Sequence, residues 1–308
     1  MPGASVHETP YASEKALVRV RALLFRSPRD SFHGPSMCGL SEHHTSRMGL
    51  MKLTFLGTGT SFGVPVVGCD CDVCTSVDVR DKRTRHGALL ELDEGTVLVD
   101  TPPELRLQLL AAGVENVDAV WYTHAHADHL HGIDDLRAFT ARQRRDIPAF
   151  VPREYDDLFR TRFSYIFDEN FHPPEGTTKP RIRLTPFGPD EATTILGHRF
   201  EPVVVPHGPI SVYGFRVGSL GYVTDAKELP AAALKTLKGV SVLVLNALWF
   251  GKPHPTHFNV EEAIEAARTV GAERTYLVHL THRVGHQELL DRLPENVAPA
   301  YDGLSIEI

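Results

Sequence analysis

The stretch Thr123-His124-Ala125-His126-Ala127-Asp128-His129 puts three imidazoles and one carboxylate within six residues, directly behind the apolar run 119–122. That run reads as a strand, so the cluster stands where a strand ends. A loop at such an end can turn His124 and His126 one way while Asp128 and His129 point toward a second position. One short segment thereby offers ligands to two cations, because imidazole and carboxylate are donors that zinc and manganese accept. The alternative, a polar loop that merely happens to be rich in histidine, leaves this spacing behind a strand unexplained.

Three further candidates share that placement. His207 follows Val203-Val204-Val205-Pro206, Asp225 follows Tyr222-Val223-Thr224, and His279 ends Thr275-Tyr276-Leu277-Val278. Each alone is an ordinary structural residue. Their agreement is what counts, since ligands at strand exits can converge on one rim from distant parts of a chain. Cysteine supplies a separate signal: of four in the chain, Cys69, Cys71 and Cys74 fall within six residues. Disulfides inside that triplet would close implausibly small loops and leave an odd thiol, whereas three thiolates suit one soft cation, read as zinc. Cys38 stands apart and reads as a spare thiol.

With 42% hydrophobic residues the 308-residue chain can bury a real core, and its length suggests about two domains or one large fold. No apolar run approaches the roughly 20 residues that span a bilayer; the longest, 240–250, is interrupted by Ser241 and Asn246. Arg19, Arg21 and Arg26 break the one N-terminal stretch that could form a secretory core, so the cytoplasm is the expected compartment. Net charge is −7; residues 1–50 hold six Lys/Arg against four Asp/Glu, which leaves −9 on the remainder. So acidic a body is not the footprint of a nucleic-acid binder. Bound divalent cations would reverse the field locally, which keeps a small phosphate ester open as a substrate.

Residues 1–50 mix Ser, Pro, Gly, His and Arg without a sustained period. They are expected as a loosely ordered extension, or as an artefact of an upstream start, with a weak helical stretch at 13–25. From residue 51 strands and helices alternate. Strands are predicted at 53–56, 88–92, 96–100, 119–123, 149–151, 182–186, 200–205, 211–217, 221–224, 242–246, 275–279 and 305–308. Helices are predicted at 103–112, 133–142, 154–163, 230–237, 260–270 and 287–293. The short Asp93-Glu94-Gly95 turn makes 88–92 and 96–100 a hairpin, so the sheets should be mixed and covered by helices, an α/β (α+β mixed) architecture.

The pattern His-x-His-x-Asp-His, present here without substitution, resembles that of the metallo-β-lactamase superfamily. The resemblance runs from about residue 51 to the C-terminus and implies a hydrolase domain over 51–308, a four-layer αββα sandwich. It implies that His124, His126 and His207 bind one cation, that Asp128, His129 and His279 bind the other, and that Asp225 bridges both. Asp128 counts as a catalytic residue as well. Asp100, ahead of Thr101-Pro102-Pro103, matches an acidic residue that orients the histidine loop.

Within the superfamily, Leu53-Thr54-Phe55-Leu56-Gly57-Thr58-Gly59-Thr60 and Gly68-Cys69-Asp70-Cys71-Asp72-Val73-Cys74 look like one branch. It includes the phosphoribosyl cyclic phosphate phosphodiesterase of the carbon–phosphorus lyase pathway. Members hold a structural zinc by Cys-x-Cys-x-x-Cys and a histidine three residues beyond the last active-site ligand, which here is His282 after His279. A saturated site of this kind cannot activate water but can pin a long loop beside the chamber. In Lys252-Pro253-His254-Pro255-Thr256-His257-Phe258-Asn259 the resemblance implies a histidine that protonates the leaving alkoxide. His257 fits better than His254, because Asn259 and the helix follow it. His131 reads as structural or substrate-facing. Arg137, Arg142, Arg144 and Arg145 read either as a phosphate-attracting edge or as a solvated helix face.

The implied activity is hydrolysis of a small phosphodiester, cyclic ones included, by a hydroxide bridging two divalent ions, Zn2+ or Mn2+, roughly 3.5–4 Å apart. The partner is then a small-molecule phosphodiester, with neither nucleic acid nor membrane expected and a homodimer as one assembly considered. One rival is a tRNA-maturing nuclease, for which no Gly/Lys-rich arm is found; another is a thioester or lactam hydrolase. A di-iron redox enzyme would carry Glu in place of His126, and a non-catalytic cofactor-biosynthesis relative would have lost active-site histidines. The pocket walls are expected from 160–180 and 247–258. Elemental analysis of the purified protein should give about three metal ions per chain, one resistant to mild chelation; a single ion would remove the dinuclear reading.

Overall fold

The chain's apolar runs form fourteen strands among the described residues, which in this computed structural model are 51–308. The expected N-terminal extension, its helical stretch and Cys38 lie outside the described residues. The strands are β1 (Lys52–Gly57), β2 (Gly87–Leu92), β3 (Gly95–Val99), β4 (Ala119–Trp121), β5 (Ile147–Pro152), β6 (Ile182–Phe187) and β7 (Thr193–Ile195). They continue with β8 (His198–His207), β9 (Ile210–Val217), β10 (Leu220–Tyr222), β11 (Val242–Asn246), β12 (Arg274–Val278), β13 (Val297–Pro299) and β14 (Ser305–Glu307). The helices are α1 (Asp72–Thr75), α2 (Leu105–Ala111), α3 (Ala127–Leu130), α4 (Arg137–Gln143), α5 (Asp156–Arg162), α6 (Ser164–Phe167), α7 (Ala231–Leu237), α8 (Val260–Val270) and α9 (His286–Arg292).

One sheet runs β14-β1-β2-β3-β4-β5-β6 and the other β13-β12-β11-β10-β9-β8-β7. Both are mixed, as the hairpin signal implied: β2 and β3 pair antiparallel from Ala88 opposite Val99 to Leu92 opposite Gly95, while β3 to β6 are parallel. In the second sheet β10 to β13 are parallel and β7 to β10 antiparallel. It follows that β1, β3 and β4 run one way in their sheet, and β8, β10, β11 and β12 one way in theirs. Each set delivers its C-terminal ends to one edge.

Trp121 on β4 sits between the sheets, with its ring 4.3 Å from Phe187, 5.5 Å from Phe215 and 5.8 Å from Phe200. Such aromatic pairs contribute about 0.5–1.5 kcal/mol each beyond their buried area. Its Nε1 donates to the Tyr213 carbonyl at 2.8 Å, and the Tyr213 amide donates to the Thr123 carbonyl at 2.9 Å. The two sheets are thus bonded one residue before His124. On the far side of the second sheet, Leu243, Leu245 and Leu277 pack with Ala233, Leu237, Ala263, Ala267 and Leu289 of α7, α8 and α9. Leu105, Leu109, Phe139 and Phe159 bring α2, α4 and α5 to the first. This is the expected αββα layering.

Helix α8 matches its predicted limits because both ends are written in the sequence. Asn259 accepts from the Glu262 amide at 2.7 Å while Glu262 accepts from the Asn259 amide at 2.9 Å, and Gly271 closes the helix at φ 77°. Elsewhere the local pattern overstates regularity. The helix expected over 133–142 is a tight 3-10 turn, Ile133–Leu136, followed by α4, and 154–163 likewise begins as a 3-10 turn, Arg153–Tyr155. Strands β7 and β13 and the one-turn helices α1, α3 and α6 escape the sequence pattern, since three or four residues display no period.

The exit of β1 is clamped by Asp302. Its half-buried carboxylate accepts from the Thr58 amide (2.9 Å) and hydroxyl (2.8 Å) and from the Thr84 amide (2.7 Å) and hydroxyl (2.6 Å). The Thr58 carbonyl in turn accepts from the Leu280 amide at 2.9 Å, beside His279. Asp302→Ala strands four donors and should cost about 2–4 kcal/mol. Thermal unfolding should show a midpoint lowered by roughly 5–15 °C, and an unshifted midpoint would deny the clamp any role.

Candidate metal centre

Every expected active-site ligand stands at or just past the end of a strand. His124 to His129 come after β4, His207 is the last residue of β8, Asp225 lies just past β10, and His279 directly follows β12. Asp100, Asp225 and His279 have φ of 61°, 53° and 57°, the left-handed region that side chains other than glycine rarely occupy. The left-handed turn breaks the alternation of a continuing strand; Asp225 and His279 then line the cavity, and Asp100 lies buried behind His129. Gly132, just past the histidine loop, lets that loop press on the turn after Asp100: a Cβ there would stand 2.1 Å from the Pro102 carbonyl.

Asp100 is buried and fully used. It accepts from the Thr123 amide (2.8 Å) and hydroxyl (2.7 Å), and its other partner is Nδ1 of His129 at 2.6 Å. His129 is thereby fixed with Nε2 facing the carboxylates of Asp128 and Asp225. His207 is held the same way, with Nδ1 donating to the Thr256 carbonyl at 3.0 Å.

The donor atoms gather in the two expected groups. His124, His126 and His207 form one, and Asp128, His129 and His279 form another, with all ligand atoms in each group within 4.8 Å of one another. Asp225 stands between them. Its Oδ1 is 3.5 Å from Nε2 of His129, and its Oδ2 is 3.4 Å from Nε2 of His279 and 3.9 Å from Nε2 of His207. Nε2 of His129 and both ring nitrogens of His279 are buried without a hydrogen-bond partner. Buried bare nitrogens beside carboxylates are costly unless a cation takes their lone pairs, and this set of imidazole and carboxylate donors suits zinc or manganese.

The electrostatics agree. Burial opposes charge on His129, but the carboxylates of Asp225, Asp128 and Asp100 outweigh it and raise the imidazole to about 10. Burial would raise Asp225, yet the imidazoles of His279, His129 and His257 bring it well below the usual carboxylate range. His124, buried and beside His129, is pushed well down and stays neutral, as a ligand must. So much negative charge around one imidazole is a demand for positive charge, which a divalent ion meets better than a proton.

The second cluster is separate. Sγ of Cys69, Cys71 and Cys74 lie 3.3, 3.4 and 3.6 Å from Nδ1 of His282, all four donors falling within 4.8 Å. Three sulfurs and one nitrogen at such spacing fit a closed tetrahedral zinc. A backbone hydrogen bond from Cys74, with help from His282, brings the Cys71 thiol down to about 6. Buried Arg83 secures the turn that carries His282: it donates to the carbonyls of Thr281 (2.6 Å) and Val284 (3.0 Å) and pairs with Asp81 at 3.1 Å.

A cavity of ≈ 450 Å³ opens onto the first cluster, lined by ligand side chains and by Ser61, Pro209, Ile210, Thr256 and His257. A slightly larger one, ≈ 510 Å³, lies between Lys52 and Asn116 but holds no imidazole or thiol, so it carries no comparable chemistry. His257 presents Nε2 to Oδ2 of Asp225 at 3.3 Å. His254 lies behind it, outside the lining. One expectation needs correction. No residue of 160–180 lines the cavity; Pro209 of the turn between β8 and β9 and Ile210 at the start of β9 do so in its place. His131 is exposed and edge-on to Phe163. Of the two readings offered for the arginines, the solvated face is the one the contacts favour: Arg137 pairs with Asp134, Arg145 with Asp118, and Arg142 lies over Phe139. The sequence reading also misses His86, which is buried behind His129, takes its hydrogen bond from or to the Tyr222 hydroxyl at 2.6 Å, and is held neutral by burial at about 3. No spacing in Arg83-Thr84-Arg85-His86 announces it.

Among known families, the beta-lactamase superfamily domain matches residues 95–280. A crystal structure described as a new diphosphatase from the PhnP family superposes with a TM-score of 0.77 at 37% identity, covering 84% of this chain and 97% of that one. This chain belongs to the PhnP family of the beta-lactamase superfamily. Zn2+-bound PqqB from Methylobacterium extorquens shares the fold, with a TM-score of 0.65 at 16% identity over 83% of this chain and all of that one (100%). A curated protein of Porphyromonas gingivalis (strain ATCC BAA-308 / W83), named octanoyltransferase, is 38% identical over 256 residues, 82% of this chain and 51% of its own length. The PhnP-family chain therefore spans about half the length of that curated relative.

The grip of Asp100 on Thr123 and His129 gives a direct test. In this PhnP-family domain, Asp100→Asn replaces an acceptor with a donor facing Nδ1 of His129, and affinity for the active-site cations should fall about 10–100-fold. Competition against a coloured chelator would measure it; unchanged affinity would show that Asp100 does not tune the ligand.

Proposed function

We propose that this metal-dependent hydrolase of the beta-lactamase superfamily cleaves a small phosphodiester, cyclic ones such as a phosphoribosyl cyclic phosphate included. The observation that carries the reading is His257, an imidazole beyond the seven expected ligands that lines the cavity with Nε2 3.3 Å from Oδ2 of Asp225, although its ligand atom also lies within 4.8 Å of those of His207 and Asp225. Two divalent ions held by His124, His126, Asp128, His129, His207, Asp225 and His279, Zn2+ or Mn2+ by their donor set, would supply Lewis acidity and a water acidified to near neutrality. Their charge exceeds that of Asp128 and Asp225, the carboxylates in the lining, so an anionic ester is favoured.

The protein's own part is positioning and proton transfer. Asp225, between the two groups, faces the centre where the reacting phosphorus would sit. An alkoxide leaving group is poor until protonated, and Nε2 of His257 is placed to deliver that proton. The Cys69, Cys71, Cys74 and His282 cluster would hold the structural zinc and take no part in the chemistry. Its neighbour Thr281 accepts Arg83, which keeps the turn beside the cavity. The cavity's small volume and the chain's net charge of −7 weigh against a long polynucleotide.

A second reading, hydrolysis of a phosphoanhydride, is favoured by the 37% identical relative described as a diphosphatase. The same water and the same proton donor would serve it. A substrate panel separates the readings: a 2′,3′-cyclic nucleotide, bis(p-nitrophenyl) phosphate, a diphosphate diester and an octanoyl thioester, each with and without chelator. We expect chelator-sensitive turnover of the phosphodiesters. His257→Ala should slow the cyclic substrate about 10²–10⁴-fold, and bis(p-nitrophenyl) phosphate less, because p-nitrophenolate leaves without a proton. Metal-replete protein that ignores phosphodiesters while turning over the diphosphate or the thioester would overturn the phosphodiester reading.

A further inference from the structure

His254 lies outside the cavity lining, yet its Nδ1 is 3.3 Å from Nδ1 of His257. Two imidazole nitrogens at this distance cannot both carry a proton toward each other. The backbone settles which one is bare: the Thr256 amide donates to Nδ1 of His254 at 3.3 Å, so that nitrogen is an acceptor. The Thr256 hydroxyl lies 3.2 Å from Nδ1 of His254 and 2.9 Å from Nδ1 of His257. With Nδ1 of His254 bare, a bare Nδ1 on His257 would set two lone pairs face to face at 3.3 Å, so the hydrogen between the rings belongs to His257. Nδ1 of His257 is then the donor toward the bare nitrogen of His254, with the Thr256 oxygen 2.9 Å away. Burial, with the nearby His257 next, lowers His254 below its ordinary range and keeps the acceptor free.

We propose that His254 is a positioning residue that fixes Nδ1 of His257 as a hydrogen-bond donor, so that Nε2 is the nitrogen turned to the reacting ester: the proton-giving form carries hydrogen on both nitrogens, Nε2 gives its proton to the alkoxide, and His257 is left neutral with Nδ1–H still held by His254. This rests on the role given to His257 above and adds the residue that enforces it. His254 is itself held firmly. Pro253 and Pro255 flank it, its ring meets Trp249 edge-on at 5.6 Å, and Trp249 is covered by the Arg283 guanidinium at 4.3 Å and donates to the Lys252 carbonyl at 2.7 Å. A ring so confined can impose an orientation on its neighbour at little entropic cost.

The test uses the full-length, metal-loaded protein and the ratio of kcat on a 2′,3′-cyclic nucleotide, which needs its alkoxide protonated, to kcat on bis(p-nitrophenyl) phosphate, which does not. His254→Ala should lower that ratio about tenfold or more with KM little changed. His254→Asn, whose side-chain oxygen falls near the position of Nδ1, should restore it. A ratio that stays put, or an Asn variant no better than Ala, would overturn the proposal, because a merely structural loss slows both substrates alike. Should His257→Ala itself leave the ratio unchanged, the reading of His257 fails first. The nitrogen-15 shifts of His257 then decide the matter without turnover: wild type should show a protonated Nδ1, and His254→Ala should shift it. Identical spectra would end the idea.

Discussion

The bond from Asp100 to Nδ1 of His129, 2.6 Å long and sealed from water, sets the geometry on which the rest of the cavity depends. The same carboxylate takes the amide and hydroxyl of Thr123, the residue before His124. Both ends of the histidine loop are thus tied to one buried anion, and the loop has no freedom to rotate its imidazoles away. Because the Thr123 carbonyl also receives the Tyr213 amide from the other sheet, the tie extends across the sandwich. Order in the site is inherited from the packing of the two sheets around Trp121.

Against that order stands local strain. Three non-glycine residues at strand exits, Asp100, Asp225 and His279, sit in the left-handed region, which costs of order 1 kcal/mol or more apiece. Repulsion adds to it, since Asp128 and Asp225 lie near the same imidazoles and would repel each other without positive charge between them. A cation that draws these groups together offsets both penalties, so ion binding and native-state stability are linked. The protein holds its candidate ligands in an arrangement that its fold alone disfavours.

Much of this was legible in the sequence because the chemistry and the topology share one signal. An apolar run marks a strand, a polar residue after it marks the strand's exit, and His124, His207, Asp225 and His279 all occupy exits. The helix 260–270 was readable to the residue, since Asn259, Glu262 and Gly271 encode both ends locally. What escaped was whatever depends on contacts distant along the chain. His86 has no patterned neighbours and acquires its place only when Tyr222 packs on it. The cavity wall at Pro209 and Ile210 follows from how the β8–β9 turn folds over, which no spacing records. The arginines at 137–145 stayed open between two readings for the opposite reason: their clustering is local, and the partners that decide between them, Asp134 and Asp118, are a surface matter.

His279 and His282 lie on one four-residue segment, and the thiols that meet His282 are as far as 213 positions away along the chain. An ion at that sulfur cluster therefore behaves as a non-covalent staple between the two ends of the domain. By chain-entropy reasoning a closure of that span restricts the unfolded polypeptide by an amount on the order of 5 kcal/mol. The thiol triplet would then decide whether the half of the molecule that carries the imidazole and carboxylate cluster survives as a unit.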